Sequence, residues 1–185
     1  MFDIQIFGTK FIKPNQFGDF NWMCHQNNYS NTLFIFNDNE EYHKTCKTGA
    51  GNAIMRRYNK YSKIIKPKSA GIPTGTLKNG GYTKLSTKIK FQIDNAFNEI
   101  ISLINIHKYD QLYYSSELDG KIGTSLFVVN DIVLRYITHK IYNLSINPIC
   151  IKIIKIQPND LYDDEFNIED DDDNDDNDNS DDDLI

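Results

Sequence analysis

Short apolar runs and alternations, separated by polar turns, recur through the first 158 residues of the chain. The segment Phe2–Ile6 alternates apolar and polar residues, which is typical of a half-buried strand. The four apolar residues Leu33–Phe36 predict a buried central strand. Ser69–Gly75 predicts a short buried strand that breaks into a loop, and Gln111–Ser115 predicts another strand.

Helical periodicity appears between these predicted strands. Ala50–Tyr58 predicts a short helix opened by a glycine pair, and Ser86 is a suitable N-cap for a longer one. The apolar face of that longer helix comprises Ile89, Ile93, Ala96, Phe97, Ile100, Ile101 and Ile104. Asn130 or Asp131 can cap a third helix. Its apolar face comprises Val133, Leu134, Ile137 and Ile141. This alternation of strands and helices predicts an α/β protein with a layered mixed sheet flanked by helices.

The composition changes sharply after Pro158. Pro148 is expected to end the third helix, and Ile149–Ile156, with its alternating lysines, to form an edge strand. Residues 159–185 then hold 15 acidic and no basic residues, which predicts a disordered acidic Asp/Asn tail. The remaining 1–158 segment, predicted to be a single α/β domain, carries a net charge of about +9. We favour a solubilising role for the tail; the alternative is an intramolecular polyanion that competes for the basic domain.

Cysteine content and hydropathy bear on the compartment. Cys24, Cys46 and Cys150 are too few and too scattered for a disulfide framework, which favours a reducing compartment. The N-terminus has no basic region followed by an apolar one, and no apolar run has the length of a membrane span. We therefore expect a soluble intracellular protein with no membrane partner, in the cytoplasm of a host cell or in a virion if the chain is viral.

One stretch of the chain has the pattern of a phosphate-binding site. The predicted strand Leu33–Phe36 ends in the polar tip Asn37–Asn39, and Gly49 and Gly51 then open the predicted helix. A strand, a polar tip, a glycine turn and a helix N-terminus are the parts of phosphate sites in α/β folds. The first N–H groups of a helix have no partners within it, and glycines let an anion approach them. The pattern points to a nucleotide-like ligand.

The order of the motifs supports this interpretation. From Leu33 to Tyr142 the chain contains Leu-Phe-Ile-Phe-Asn-Asp-Asn, Gly-Ala-Gly-Asn-Ala-Ile-Met-Arg, Ala-Gly-Ile-Pro-Thr-Gly, a long helix and Asp-Gly-Lys-Ile-Gly-Thr-Ser. This order resembles a family of small uncharacterised proteins from bacteria, phages and large DNA viruses. Its layout is in turn similar to macrodomains, the ADP-ribose-binding α/β modules. Asn37 and Ser125 depart from that family, which has glycine at both positions.

The resemblance implies a macrodomain-like fold with a site for ADP-ribose or a related nucleotide diphosphate. Asn37, Asp38 and Asn39 would then face the base or ribose. The residues implied at the phosphates are Gly49, Gly51 and Asn52 in one loop, and Gly120, Gly123, Thr124 and Ser125 in the other. Asp119, in the second loop, is a further ligand-binding residue and the competitor of Asp38 for a position beside the ribose. A carboxylate beside the ribose could activate water, which would make the protein an ADP-ribosyl hydrolase. Asp38 is the favoured catalytic residue, because it is expected to project into the cleft. Ordinary turn formation explains each motif taken alone.

Two other chemistries are weighed against this one. The first is a non-enzymatic nucleic-acid-binding protein with a basic, aromatic face tempered by the acidic tail. Its residues would be Arg56, Arg57, Lys60, Lys63, Lys66 and Lys68, interleaved with Tyr58 and Tyr61. The second is a zinc site built from Cys24, His25, His43 and Cys46. Adjacent Cys and His residues are poorly spaced as ligands, so neither a metal site nor a cofactor is predicted.

Overall fold

The computed structural model describes residues 4–124 and 126–146. Their strands are β1 (Gln5–Thr9), β2 (Thr32–Asn39), β3 (Ser69–Thr76), β4 (Gly80–Gly81) and β5 (Gln111–Ser115). They form one sheet in the order β1-β5-β2-β3-β4, in which only β4 is antiparallel to its neighbour. This mixed sheet with helices confirms the predicted α/β class. The predicted strand Ile149–Ile156 and the predicted acidic tail lie outside the described residues.

The helices largely follow the predicted caps. They are α1 (Phe20–Met23), α2 (Thr87–His107), α3 (Asp131–Ile146) and the 3-10 helices Asn27–Tyr29 and Gly51–Tyr58. Ser86 caps α2, because its hydroxyl accepts a hydrogen bond from the N–H of Ile89 at 3.3 Å. Asn130 provides the cap of α3, accepting from the N–H of Ile132 at 2.8 Å. None of the helices in the described part of the chain combines the length and apolar character needed to cross a membrane.

Both faces of the sheet are covered, which explains the continuous apolar run in β2. Leu33 and Ile35 pack with α2 and α3 on one face, in a core that also contains Leu112 and Tyr114 of β5. Phe34 and Phe36 point the other way, where the residues packed around them are Phe20, Met23, Cys24, Met55 and Tyr113. A strand buried on both faces needs apolar residues at every position rather than at alternate ones.

After β2 and after β5, which are neighbouring parallel strands, the chain turns towards opposite faces of the sheet. After β2 it forms the 3-10 helix Gly51–Tyr58, whose Met55 packs against Phe34 and Phe36. After β5 it forms α3, which packs on the other face. Because β2 and β5 are adjacent and parallel, their carboxyl ends meet at the same edge. In open α/β sheets such a divergence opens a crevice in which ligands bind.

The polar tip after Phe36 is part of β2 and not a turn. Asn37 and Asp38 pair with Ile72 and Pro73 of β3, and the register shifts between Asp38 and Asn39. The strand therefore extends three residues beyond its predicted end. Side chains alternate along a strand, so Asp38 points to the face opposite that of Asn37. This alternation decides which polar residues reach the crevice.

Candidate functional site

A cleft of about 450 Å³ lies at the carboxyl edge of the sheet. Residues that follow β1, β2 and β5 line it, together with the glycine turn before the 3-10 helix. Two features that a common site for both glycine loops requires are present here. The predicted strands of Leu33 and Gln111 are neighbours that end on one edge. Gly51 and Gly123 line the same cleft.

The glycine turn presents the start of the 3-10 helix to the cleft. Residues 47–53 all line it, and the helix begins at Gly51 without a side-chain cap from Ala50. Gly51 has a φ of +53°, in the left-handed region that favours glycine. The first N–H groups of a helix have no acceptors within it, and they carry the positive end of its dipole. This turn therefore offers backbone donors to an anion.

Asn52 fixes the position of the turn. Its side chain is 6% exposed, and both ends of its amide are hydrogen-bonded. The carbonyl oxygen accepts from the N–H of Phe20 at 2.9 Å, and the amide nitrogen donates to Gly18 O at 3.1 Å and to Ser115 Oγ at 2.8 Å. The Asn52 side chain thus joins the turn to the end of β5, and its hydrogen-bonding capacity is used within the protein.

Asn39 also lines the cleft, and its side chain has a hydrogen-bond donor without a partner among the described residues. Its side chain is 4% exposed, and its Oδ1 accepts from the N–H of Glu41 at 2.7 Å. Its Nδ2 is buried and has no hydrogen-bond partner among the described residues. A buried donor without an acceptor costs about 1–3 kcal/mol, and such groups are rare in folded proteins. Asn39 lines the cleft, so its Nδ2 is a candidate donor to an acceptor on a bound ligand.

Glu40, the residue after Asn39, anchors this end of β2. Its carboxylate accepts hydrogen bonds from Tyr82 Oη at 2.9 Å and from Gln92 Nε2 at 2.5 Å. Burial, together with the hydrogen bond to Glu40, raises the pKa of the Tyr82 phenol well above its usual value. The end of β2 is thereby tied to α2 and to the segment that follows β4.

Asp38 does not project into the cleft, contrary to the expectation from the sequence. Its side chain is 1% exposed and forms a buried ion pair with Arg56. It points towards the 3-10 helix, because β2 continues past Phe36 and its side chains alternate. Asn37, on the opposite face, does line the cleft, and its Nδ2 donates to Thr124 O at 3.0 Å. A carboxylate held in this way is badly placed to activate water in the cleft.

Only part of the second predicted loop reaches the cleft. Gly123 lines it, whereas Asp119, Gly120 and Thr124 do not. A bridge between Ser116 and Ile122 folds this segment into a tight turn, which carries Asp119 and Gly120 away from the cleft. The Asp119 carboxylate instead lies 3.4 Å from Lys121 Nζ. Thr124 acts through its backbone, as the acceptor for Asn37. Ser125 lies outside the described residues.

Several cleft residues were missed from the sequence. Lys10 and Phe11 follow β1, and Ser115, Ser116 and Glu117 lie at or just beyond the end of β5. The predicted first strand could have indicated them, because a third parallel strand would bring its carboxyl end, and the residues after it, to the same edge of the sheet. Glu117 brings a carboxylate to the cleft, and it forms an ion pair of 2.6 Å with Lys10.

Some residues of the two alternative chemistries are engaged in other contacts within the protein. No group of three or more potential metal-ligating side chains occurs within residues 4–124 and 126–146. Of the basic residues weighed for nucleic acid, Arg56 is buried against Asp38. Lys60 lies 3.0 Å from Glu99, and Lys68 donates to Cys24 O at 2.8 Å. Much of that charge is therefore engaged within the protein.

Comparison of the chain with protein-family models, with curated protein sequences and with solved structures found no match. The α/β class follows from the sheet itself. What the cleft binds has to be argued from the geometry described above.

Proposed function

We propose that this protein is a macrodomain-like module that binds ADP-ribose or a related nucleotide diphosphate in the cleft. The observation that carries the proposal is the meeting of Gly51, Asn39 and Gly123 where β2 and β5 diverge. The glycine turn supplies backbone donors for a phosphate, and Asn39 supplies a donor for a hydroxyl, carbonyl or phosphate oxygen. Gly123 also lines the cleft and adds no side chain to it.

The size and lining of the cleft fit a ligand with a charged part and a planar part. Its volume of about 450 Å³ lies within the range of small-molecule sites, about 300–1,000 Å³. Phe11, Tyr42, Leu77 and Phe127 provide apolar and aromatic surface, as a nucleobase requires. Lys47, which also lines the cleft, adds a cation beside the glycine turn. Nucleotide diphosphates combine these two kinds of group.

We propose binding; hydrolysis would require in addition a general base in the cleft. A general base must come within hydrogen-bond reach of the water that it activates. Asp38 is buried against Arg56 and does not meet this condition, so we do not assign it that role. Among the described residues, Glu117 is the carboxylate that lines the cleft, and it is the candidate general base for hydrolysis.

A thermal-shift screen tests the proposal against its alternative. The ligands are ADP-ribose, NAD, ATP and single- and double-stranded oligonucleotides. A ligand present at a hundred times its Kd stabilises the folded state by about 2.7 kcal/mol, which gives a clear rise in melting temperature. We expect the largest rise with ADP-ribose. A rise with oligonucleotides alone, lost at high salt, would favour the nucleic-acid alternative instead.

A further inference from the structure

We propose that Asp38 and Arg56 form a buried positioning pair that holds both sides of the cleft in the geometry needed for phosphate binding. This inference rests on the proposed function and deepens it. It gives Asp38 a role different from the catalytic one expected from the sequence, because the pair acts on the strand end and on the glycine turn.

The first contact of the pair is with the strand side of the cleft. Asp38 Oδ1 accepts from Nε and Nη2 of Arg56, and also from the N–H of Asn39 at 2.7 Å. The carboxylate thus fixes the backbone of the residue that carries the unpartnered Nδ2. Gly71 of β3 leaves the necessary space, because a Cβ there would lie 2.3 Å from Asp38 Oδ2.

The second contact is with the glycine turn. Arg56 uses its remaining terminal nitrogen, Nη1, to donate to Lys47 O at 2.8 Å. Gly49 lies against the same group, since a Cβ on Gly49 would be 3.1 Å from Nη1. The guanidinium therefore spans from Asp38 to the backbone at the start of the turn. Only the planar fork of arginine can make both contacts at once.

Both charges of the pair are buried, so losing one of them leaves the other without compensation. Arg56 is 4% exposed and Asp38 is 1% exposed, so neither charge is solvated by bulk water. His43 is the other titratable group beside the pair, with Nδ1 3.5 Å from Asp38 Oδ2. Loss of the guanidinium would leave a buried carboxylate without its cation, which is strongly destabilising, and we expect the surrounding backbone to move in response. Here the surrounding backbone is the binding turn.

The test compares Arg56→Lys and Gly49→Ala with the wild-type protein. Lysine keeps the charge at position 56 but cannot bridge Asp38 and Lys47 O. Alanine at position 49 would crowd Ala53 Cβ, at 2.9 Å, as well as Arg56 Nη1, at 3.1 Å, so we expect it to shift the turn relative to the guanidinium. It remains usable if Arg56→Lys does not fold, because Gly49 is partly exposed. Asp94→Asn is the matched control, since it breaks the ion pair with Lys140 between α2 and α3, away from the cleft.

Two quantities are measured on folded protein: the Kd for ADP-ribose by calorimetry, and amide hydrogen exchange without ligand. We expect both variants to bind at least tenfold more weakly and to exchange faster at residues 47–52, by a larger factor there than in the core strand Leu33–Phe36. The control should leave the Kd unchanged and should not raise exchange at residues 47–52 more than in Leu33–Phe36. Weaker binding without faster exchange would overturn the inference, because Arg56 would then contact the ligand directly.

Three other results would also overturn it: unchanged affinity in both variants, exchange that rises by the same factor at residues 47–52 and in Leu33–Phe36, or the same loss of affinity in Asp94→Asn. A wild-type protein that binds neither ADP-ribose nor any other nucleotide diphosphate would refute the proposed function, and this inference with it. A wild-type protein that binds, with variants that bind equally well, would refute the inference alone.

Discussion

The unpartnered amide of Asn39 leads to a prediction in which stability and binding move in opposite directions. In Asn39→Ser the buried Nδ2 is removed, whereas the serine hydroxyl can still accept from the N–H of Glu41 in the local turn. Removing a buried donor that has no acceptor relieves part of a cost of about 1–3 kcal/mol. We expect the free energy of unfolding without ligand to stay the same or to rise by about 1 kcal/mol.

Binding should weaken in the same variant. If Nδ2 donates to the ligand, its loss removes one hydrogen bond, worth about 1 kcal/mol, which corresponds to about a fivefold higher Kd. Urea unfolding measures the first quantity and calorimetry with ADP-ribose the second. A variant that loses more than about 1 kcal/mol of stability and binds ADP-ribose normally would refute the reasoning.

Asn52→Ser is the matched control for this experiment. Asn52 is equally buried in the wall of the same cleft, but its amide makes three hydrogen bonds within the protein. Serine cannot reach all three partners. The same substitution should therefore lower the free energy of unfolding by about 2–4 kcal/mol. Equal effects of the two substitutions would show that the Asn39 amide is not distinguished by its missing partner.

Three further predictions concern the turn, the packing of the helices and the nature of the ligand. Gly51→Ala should destabilise the protein by about 1–2 kcal/mol through the positive φ of this residue alone, because no atom lies within 4 Å of the added Cβ. An unchanged melting curve would contradict this prediction. Burial opposes ionisation of Asp94, but hydrogen bonds from Lys140 and Tyr136 outweigh it and hold the pKa of this carboxyl below its usual value. The stabilising contribution of Asp94 is therefore present above the unfolded-state pKa and lost as the pH falls through the folded-state pKa. In acid titrations followed by circular dichroism, Asp94→Asn should lose less stability between neutral and acid pH than the wild-type protein does. The affinity for ADP-ribose should fall less steeply with ionic strength than any affinity for oligonucleotides, and parallel salt slopes in calorimetry would argue against a pocketed ligand.

Much of the fold could be predicted because burial leaves a direct pattern. The apolar run Leu33–Phe36 and the cap at Ser86 gave the correct elements in the correct places. The end of β2 could not be predicted, because Asn37 and Asp38 have turn-forming side chains and remain in the sheet only through pairing with β3. Strand pairing between distant segments of the chain has no local signal.

The candidate site was predictable only in part, for the same reason. Gly51 and Gly123 were expected in one cleft, and the adjacency of β2 and β5 brings them there. The direction of Asp38 depends on where β2 ends, so an error of three residues in the strand reversed its expected role. Lys10 and Glu117 were missed because their ion pair joins the ends of β1 and β5, which are far apart in sequence.

The most direct test of a nucleotide-binding cleft is to follow the backbone amides of the protein by NMR while ADP-ribose is added. The account predicts saturable shifts confined to the cleft, at Asn37, Asn39, residues 49–52 and Gly123. Shifts concentrated between Arg57 and Lys68, or no saturable shift at millimolar ligand, would contradict it.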